Sequence, residues 1–110
     1  TGSSLLGRAG LLDRREATTH WRSFDFLRQA APKAYIQEDL RFTMDGSIFT
    51  SAGISAGIDM ALHIVSHLFG TKTGEATARQ MDYPYPQNNQ RSSYHKYRFI
   101  INPVKSRLYV

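Results

Sequence analysis

Histidine is the side chain best suited to proton chemistry near neutral pH in this sequence, because its 110 residues include four histidines and no cysteine. The missing thiol excludes disulfides, thiolate metal sites and thiol catalysis by these residues. His20 closes the short β-prone run Ala17-Thr18-Thr19. In open α/β sheets ligands sit outside the carboxyl ends of strands, where a histidine can serve as general acid or base. It can equally be a satisfied neighbour of Trp21, and the residue types alone do not separate the two.

His63 and His67 lie four apart, a spacing that can place two imidazoles of one helix on a metal. Ile64 stands where a zincin has its Glu, and Asp59 one turn earlier makes a surface Asp–His pair as natural an account. No metal and no cofactor are therefore assigned. Gly53-Ile54-Ser55-Ala56-Gly57 forms a small-residue turn into a helix, where backbone N–H groups can face an anion. It lacks dinucleotide and P-loop spacing, so glycines that permit close strand–helix packing are the preferred reading. Thr1-Gly2-Ser3-Ser4 is a similar turn. Capping suits Ser3 and Ser4 better than nucleophilic attack, since neither sits in a Gly-x-Ser-x-Gly elbow.

The elements that must hold these residues follow from periodicity. Thr1–Leu12 reads as a short helix stopped by Gly10, residues 13–16 as a charged turn, and Ala17–Trp21 as a buried strand. Ser23 is placed as N-cap of a helix Phe24–Ala31, with Phe24, Leu27 and Ala31 on one face and Pro32 as its stop. Tyr35–Glu38 is a short strand, and Asp45-Gly46 signals a hairpin between Arg41–Met44 and Ile48–Ser51. Ser55–Phe69 is the strongest helix, its apolar arc opposed by Asp59, His63, Ser66 and His67 on the expected solvent side. Gly70 caps it, a further helix runs from Thr73 to about Met81, and Pro84 and Pro86 end the ordered pattern. Strands alternating with helices imply an α/β layered domain, but one sheet entered in the middle.

Composition bounds the function. The length suits one domain, no run approaches the roughly 18 apolar residues of a membrane span, and the first ten residues lack a secretion-signal layout. Residues 1–90 balance nine Lys/Arg against nine Asp/Glu, so all of the +5 comes from Arg91, Lys96, Arg98, Lys105 and Arg107. A tail of this kind can bind phosphates through counterion release, but a solvated extension suits its mixed composition better. Nucleic acid and membrane are accordingly not expected partners.

Three segments carry a resemblance: Ala17–Trp21, Asp45–Gly53 and Ile54–His63. Together they resemble the ThiJ/PfpI superfamily of class I glutamine-amidotransferase-like domains, nearest to stand-alone isonitrile-hydratase-like members and to the sensor domain of AraC-type regulators. The resemblance covers residues 1–91 and implies the C-terminal half of a flavodoxin-like, doubly wound, three-layer α/β domain. Residues 92–110 stand apart as an atypical basic tail, compatible with a frameshifted or readthrough end or with a real extension.

The resemblance also implies a site. In the family a nucleophilic cysteine directly precedes the position of Thr1 on a strand-to-helix elbow, so this chain holds no catalytic nucleophile of its own. The amide of Thr1 would face a developing oxyanion. Thr1, Gly2, Thr19, His20, Gly53, Ile54 and Ser55 are the pocket residues carried over, with His20 beside the pocket and Gly53–Ser55 along its other side. The implied parent is a cytoplasmic, homodimeric, cysteine-dependent hydratase or lyase acting on a small molecule. The alternatives are a ligand-sensing domain of an AraC-type regulator and a non-functional gene remnant; the start on Thr1 without Met suits a fragment or trimmed product.

Overall fold

A computed structural model of the chain describes residues 1–91. Its elements are α1 (Gly2–Arg8), β1 (Glu16–Ala17), a 3₁₀ turn (Trp21–Ser23), α2 (Phe24–Ala30), β2 (Tyr35–Ile36), β3 (Phe42–Asp45), β4 (Ile48–Ser51), α3 (Ile54–Phe69) and α4 (Thr71–Gln80). The basic tail expected at 92–110 lies outside the described residues.

β1 and β2 pair in parallel, Glu16 beside Tyr35 and Ala17 beside Ile36, with α2 as the crossover between them. That is the βαβ unit of a doubly wound α/β fold. β3 and β4 pair antiparallel from Phe42–Ser51 to Asp45–Ile48, with Gly46 and Ser47 as the two-residue turn. The core gathers Leu12, Ala17, Leu27 and Ala31, with Leu6, Ala34, Ile36 and Ile48 packed against them. Burying Leu27 completely contributes about 1.5–3 kcal/mol. Helix α1 comes so close to α2 that a Cβ on Gly7 would stand 2.7 Å from that of Ala31.

Several elements are shorter than their periodicity suggests. The strand expected over Ala17–Trp21 covers only Glu16–Ala17: beyond it the Gln37 carbonyl accepts from Thr18 Oγ1 at 2.7 Å, and the Thr18 amide donates to Thr50 Oγ1 at 2.8 Å. The chain then turns at Trp21–Ser23. Helix α1 ends at Arg8, four residues before Leu12, closed by Gly10 N–H to the Gly7 carbonyl and Leu11 N–H to that of Leu6. This bond pair is a Schellman motif, in which Gly10 takes φ +77°. Ser23 occupies the N-cap position of α2 but makes no side-chain capping bond.

The face of α3 expected in solvent is instead covered over Asp59, His63 and Ser66, and only His67 of that set is exposed. Residues 83–91 run back across it as an extended strap: Tyr83 Oη donates to Asp59 Oδ1 at 2.7 Å, and Tyr85 Oη pairs with Ser66 Oγ at 2.7 Å. Asp59 is buried and its other oxygen takes the Nε–H of Arg41 at 2.9 Å, while His63 packs on Phe42 with ring centroids 5.0 Å apart. The Asp59 hydrogen bond, then desolvation, raises the Tyr83 phenol above its ordinary pKa. Ordered structure also continues past Pro84 and Pro86. Asn89 presents its amide to Phe42 as a strand would, accepting from Phe42 N–H at 2.9 Å and donating to Phe42 O at 2.7 Å. Leu40 and Gln90 form an antiparallel bridge beside it.

Candidate functional site

The turns that leave β1 and β4 meet the start of α1, and a cavity of about 570 Å³ opens between them. Thr1, Gly2, Thr19, His20 and Gly53 all line it, together with Phe49, Ser51 and Met60. Ile54 and Ser55 stand beside it and not in its lining: Ile54 is 95 % exposed on the outer side of α3, and Ser55 Oγ accepts from Arg41 Nη2 at 3.1 Å.

Buried hydroxyls fix the frame of this cavity. Ser3 Oγ donates to the Thr18 carbonyl at 2.8 Å, tying α1 to the segment that carries His20. Thr50 Oγ1 accepts the Thr18 amide and pairs with Thr43 Oγ1, and Thr18 Oγ1 donates to the Gln37 carbonyl at 2.7 Å. Thr18, Thr43 and Thr50 are all buried, so each of these bonds satisfies a group that water cannot reach.

Gly53 is required by its backbone. At φ 126° and ψ −174° it occupies a region that is essentially glycine-only, and a Cβ there would stand 3.7 Å from His20 Cδ2. Conformation, more than close packing, therefore accounts for this glycine. Gly57 differs, since a Cβ on it meets only Ser51 Oγ at an ordinary 3.7 Å.

His20 caps the 3₁₀ turn, its Nδ1 accepting from the Arg22 amide at 3.2 Å. Accepting that bond takes a lone pair on Nδ1, which favours the neutral form with its proton on Nε2, on a side chain that stays exposed at the rim. Partial burial, then the positive charges of Arg22 and Arg91, lower its pKa from the ordinary value. The arrangement offers a neutral imidazole at the rim of a cavity: a group able to take a proton, or to pass one on. His63 and His67 take no part. Among the described residues no three His, Cys, Asp or Glu side chains cluster as metal ligands do.

Arg91 carried no local signal. It reaches back with Nη2 to Thr18 Oγ1 at 2.8 Å, the Thr19 carbonyl at 3.0 Å and the Leu40 carbonyl at 2.9 Å. Its guanidinium stands 5.0 Å over the Phe24 ring. Burial, then repulsion from Arg41, lowers its pKa.

With this geometry in view, the sequence model of the DJ-1/PfpI family matches residues 1–67. The chain belongs to the DJ-1/PfpI family. It is 42 % identical over 83 residues to isonitrile hydratase of Pseudomonas putida, a match that takes in 76 % of this chain and 35 % of that protein. It is 38 % identical over 80 residues to the HTH-type transcriptional regulator CdhR of Pseudomonas aeruginosa, covering 73 % of this chain and 24 % of the regulator. The chain thus spans about a third or less of the length of these relatives. Among solved structures, a ThiJ/PfpI family protein from Pseudomonas syringae superposes with TM-score 0.71 at 32 % identity, covering 97 % of this chain and 42 % of the other. An AraC family transcriptional regulator from Pseudomonas putida superposes with TM-score 0.68 at 26 % identity, over 74 % of this chain and 43 % of that one. The fold is accordingly the flavodoxin-like α/β fold of this family. No helix among the described residues is long and apolar enough to cross a membrane.

Proposed function

We propose that this chain is a C-terminal portion of a DJ-1/PfpI-type hydratase, and that its cavity takes a small electrophile of the isonitrile class. The observation that carries this reading is the convergence of Thr1, Thr19, His20 and Gly53 on one cavity beside a neutral imidazole. The nucleophile is a cysteine directly preceding Thr1 in the longer protein, at the mouth of that cavity. Its thiolate adds to the terminal carbon of the isonitrile, forming a C–S bond while that carbon gains a proton. Water then adds to the same carbon and the C–S bond breaks, giving an N-substituted formamide and restoring the thiol. His20 is the proton carrier, a role that suits its lowered pKa. The same reading places the parent in the cytoplasm as a homodimer.

A second reading is supported by the likeness to CdhR and to the AraC family structure: the cavity belongs to a ligand-sensing domain and performs no chemistry. Two observations separate them. The hydratase reading expects an in-frame Cys codon immediately before that of Thr1, and hydration in the longer protein that falls at least ~100-fold on His20→Gln. A different residue at that position would overturn it, as would full turnover in the variant. An in-frame helix-turn-helix segment downstream would favour the regulator.

A further inference from the structure

The peptide bond that joins Thr19 to His20, beyond the end of β1, is held by a side chain from the far end of the described chain. Its carbonyl accepts from Arg91 Nη2, and the same nitrogen reaches Thr18 Oγ1 one residue earlier and the Leu40 carbonyl on the far side. Arg91 is itself anchored, since its amide donates to the Asp39 carbonyl at 2.7 Å at the end of the strap. Phe24 lies under the guanidinium, so one face of the cation is closed by an aromatic ring. Its Nε is buried and has no hydrogen-bond partner among the described residues. One terminal nitrogen thus stands among three acceptors, while Nε finds no partner among the described residues.

We propose that Arg91 is a positioning residue of the cavity: it clamps the Thr18–Thr19 segment and thereby fixes the direction from which the His20 imidazole enters. The proposal rests on the reading of that cavity as a small-molecule site, but its geometry is independent of which molecule binds. Lysine does not replace it, because an ammonium on a flexible stem has no planar guanidinium to lie on the Phe24 ring and hold its direction among these acceptors. The charged groups facing His20 are Arg22 and Arg91, both positive, so the clamp also opposes protonation of the ring.

The test is NMR of the ligand-free chain, reading the His20 ring nitrogens and their pH midpoint in wild type, Arg91→Met and Arg91→Lys, with His20→Gln for assignment. The wild type is expected to hold one tautomer, with the proton on Nε2, and to titrate below the ordinary value of about 6.5. In Arg91→Met the midpoint moves up toward that value and both tautomers appear. Arg91→Lys restores the low midpoint through its charge but leaves the tautomers mixed. A folded Arg91→Met with the wild-type tautomer and midpoint overturns the proposal. Should that variant fail to fold, Arg91→Lys decides alone, and a single retained tautomer there overturns it. Because no substrate is present, failure here is distinct from failure of the hydratase reading, which is judged by turnover.

Discussion

The same chemical change, glycine to alanine, is expected to have opposite signs at two positions four residues apart. At Gly53 the backbone lies at φ 126°, ψ −174°, where a Cβ is strained by its own chain although its nearest external neighbour, His20 Cδ2, is a comfortable 3.7 Å away. The cost is therefore conformational, about 1–3 kcal/mol. Each kcal/mol moves Tm by roughly 4–8 °C in a domain of this size, so Gly53→Ala lowers Tm by about 4–24 °C. At Gly57, inside α3, a Cβ meets only Ser51 Oγ at 3.7 Å, and alanine gains about 0.5–1 kcal/mol from helix propensity. Thermal melts of the two variants beside wild type decide the matter. A Gly53→Ala protein as stable as wild type, or a Gly57→Ala protein less stable than Gly53→Ala, would refute the account of the turn that borders the cavity.

Other outcomes follow from the same structure. Thr50→Val removes the acceptor of the buried Thr18 amide and is expected to cost about 1–3 kcal/mol in urea unfolding, while Thr43→Val, which strands no amide, costs less. Because the folded-state pKa of His20 is lowered, proton binding favours the unfolded chain. Its contribution to stability is complete above about pH 6.5 and declines as pH falls below that, until the folded imidazole also titrates. Arg22 and Arg91 stay positive throughout, so the loss below pH 6.5 should be smaller in His20→Gln than in wild type. Leu5, Phe26, Leu68 and Phe69 are between 51 and 69 % exposed, and β1 and β2 form only a two-stranded parallel sheet. The 110-residue chain is therefore expected to self-associate in sedimentation, and a sedimentation coefficient that stays monomeric as concentration rises would contradict this.

What the sequence disclosed was local. Asp45-Gly46 locates the hairpin because a two-residue turn depends on its own residues, and Phe24, Leu27 and Ala31 mark the buried face of α2 because helical period does. His20 was legible as a histidine closing a β-prone run, but grouping it with Thr1, Gly2, Thr19 and Gly53 took the resemblance to a family, since no period or spacing gathers them. Ile54 and Ser55 neighbour Gly53 in sequence, yet the first helical residues turn their side chains outward and toward Arg41. Long-range polar partners left no trace. Asp59 looked solvent-facing on the helical wheel because its partners, Arg41 and Tyr83, lie 18 and 24 residues away. Asn89 and Arg91 act on residues 47 to 73 positions earlier, through single side chains in a segment whose prolines suggested the end of order.

The central claim is that the cavity around His20 receives a small molecule. Amide chemical-shift mapping during titration of the chain with a small alkyl isonitrile, and separately with its formamide product, tests it most directly. Saturable shifts centred on Gly2, Thr19, His20 and Gly53 are expected, lost in His20→Gln, with no formamide produced because the chain has no thiol. Absence of saturable shifts with either compound, or shifts centred instead on the cleft lined by Phe42, His63 and residues 85–89, would contradict it.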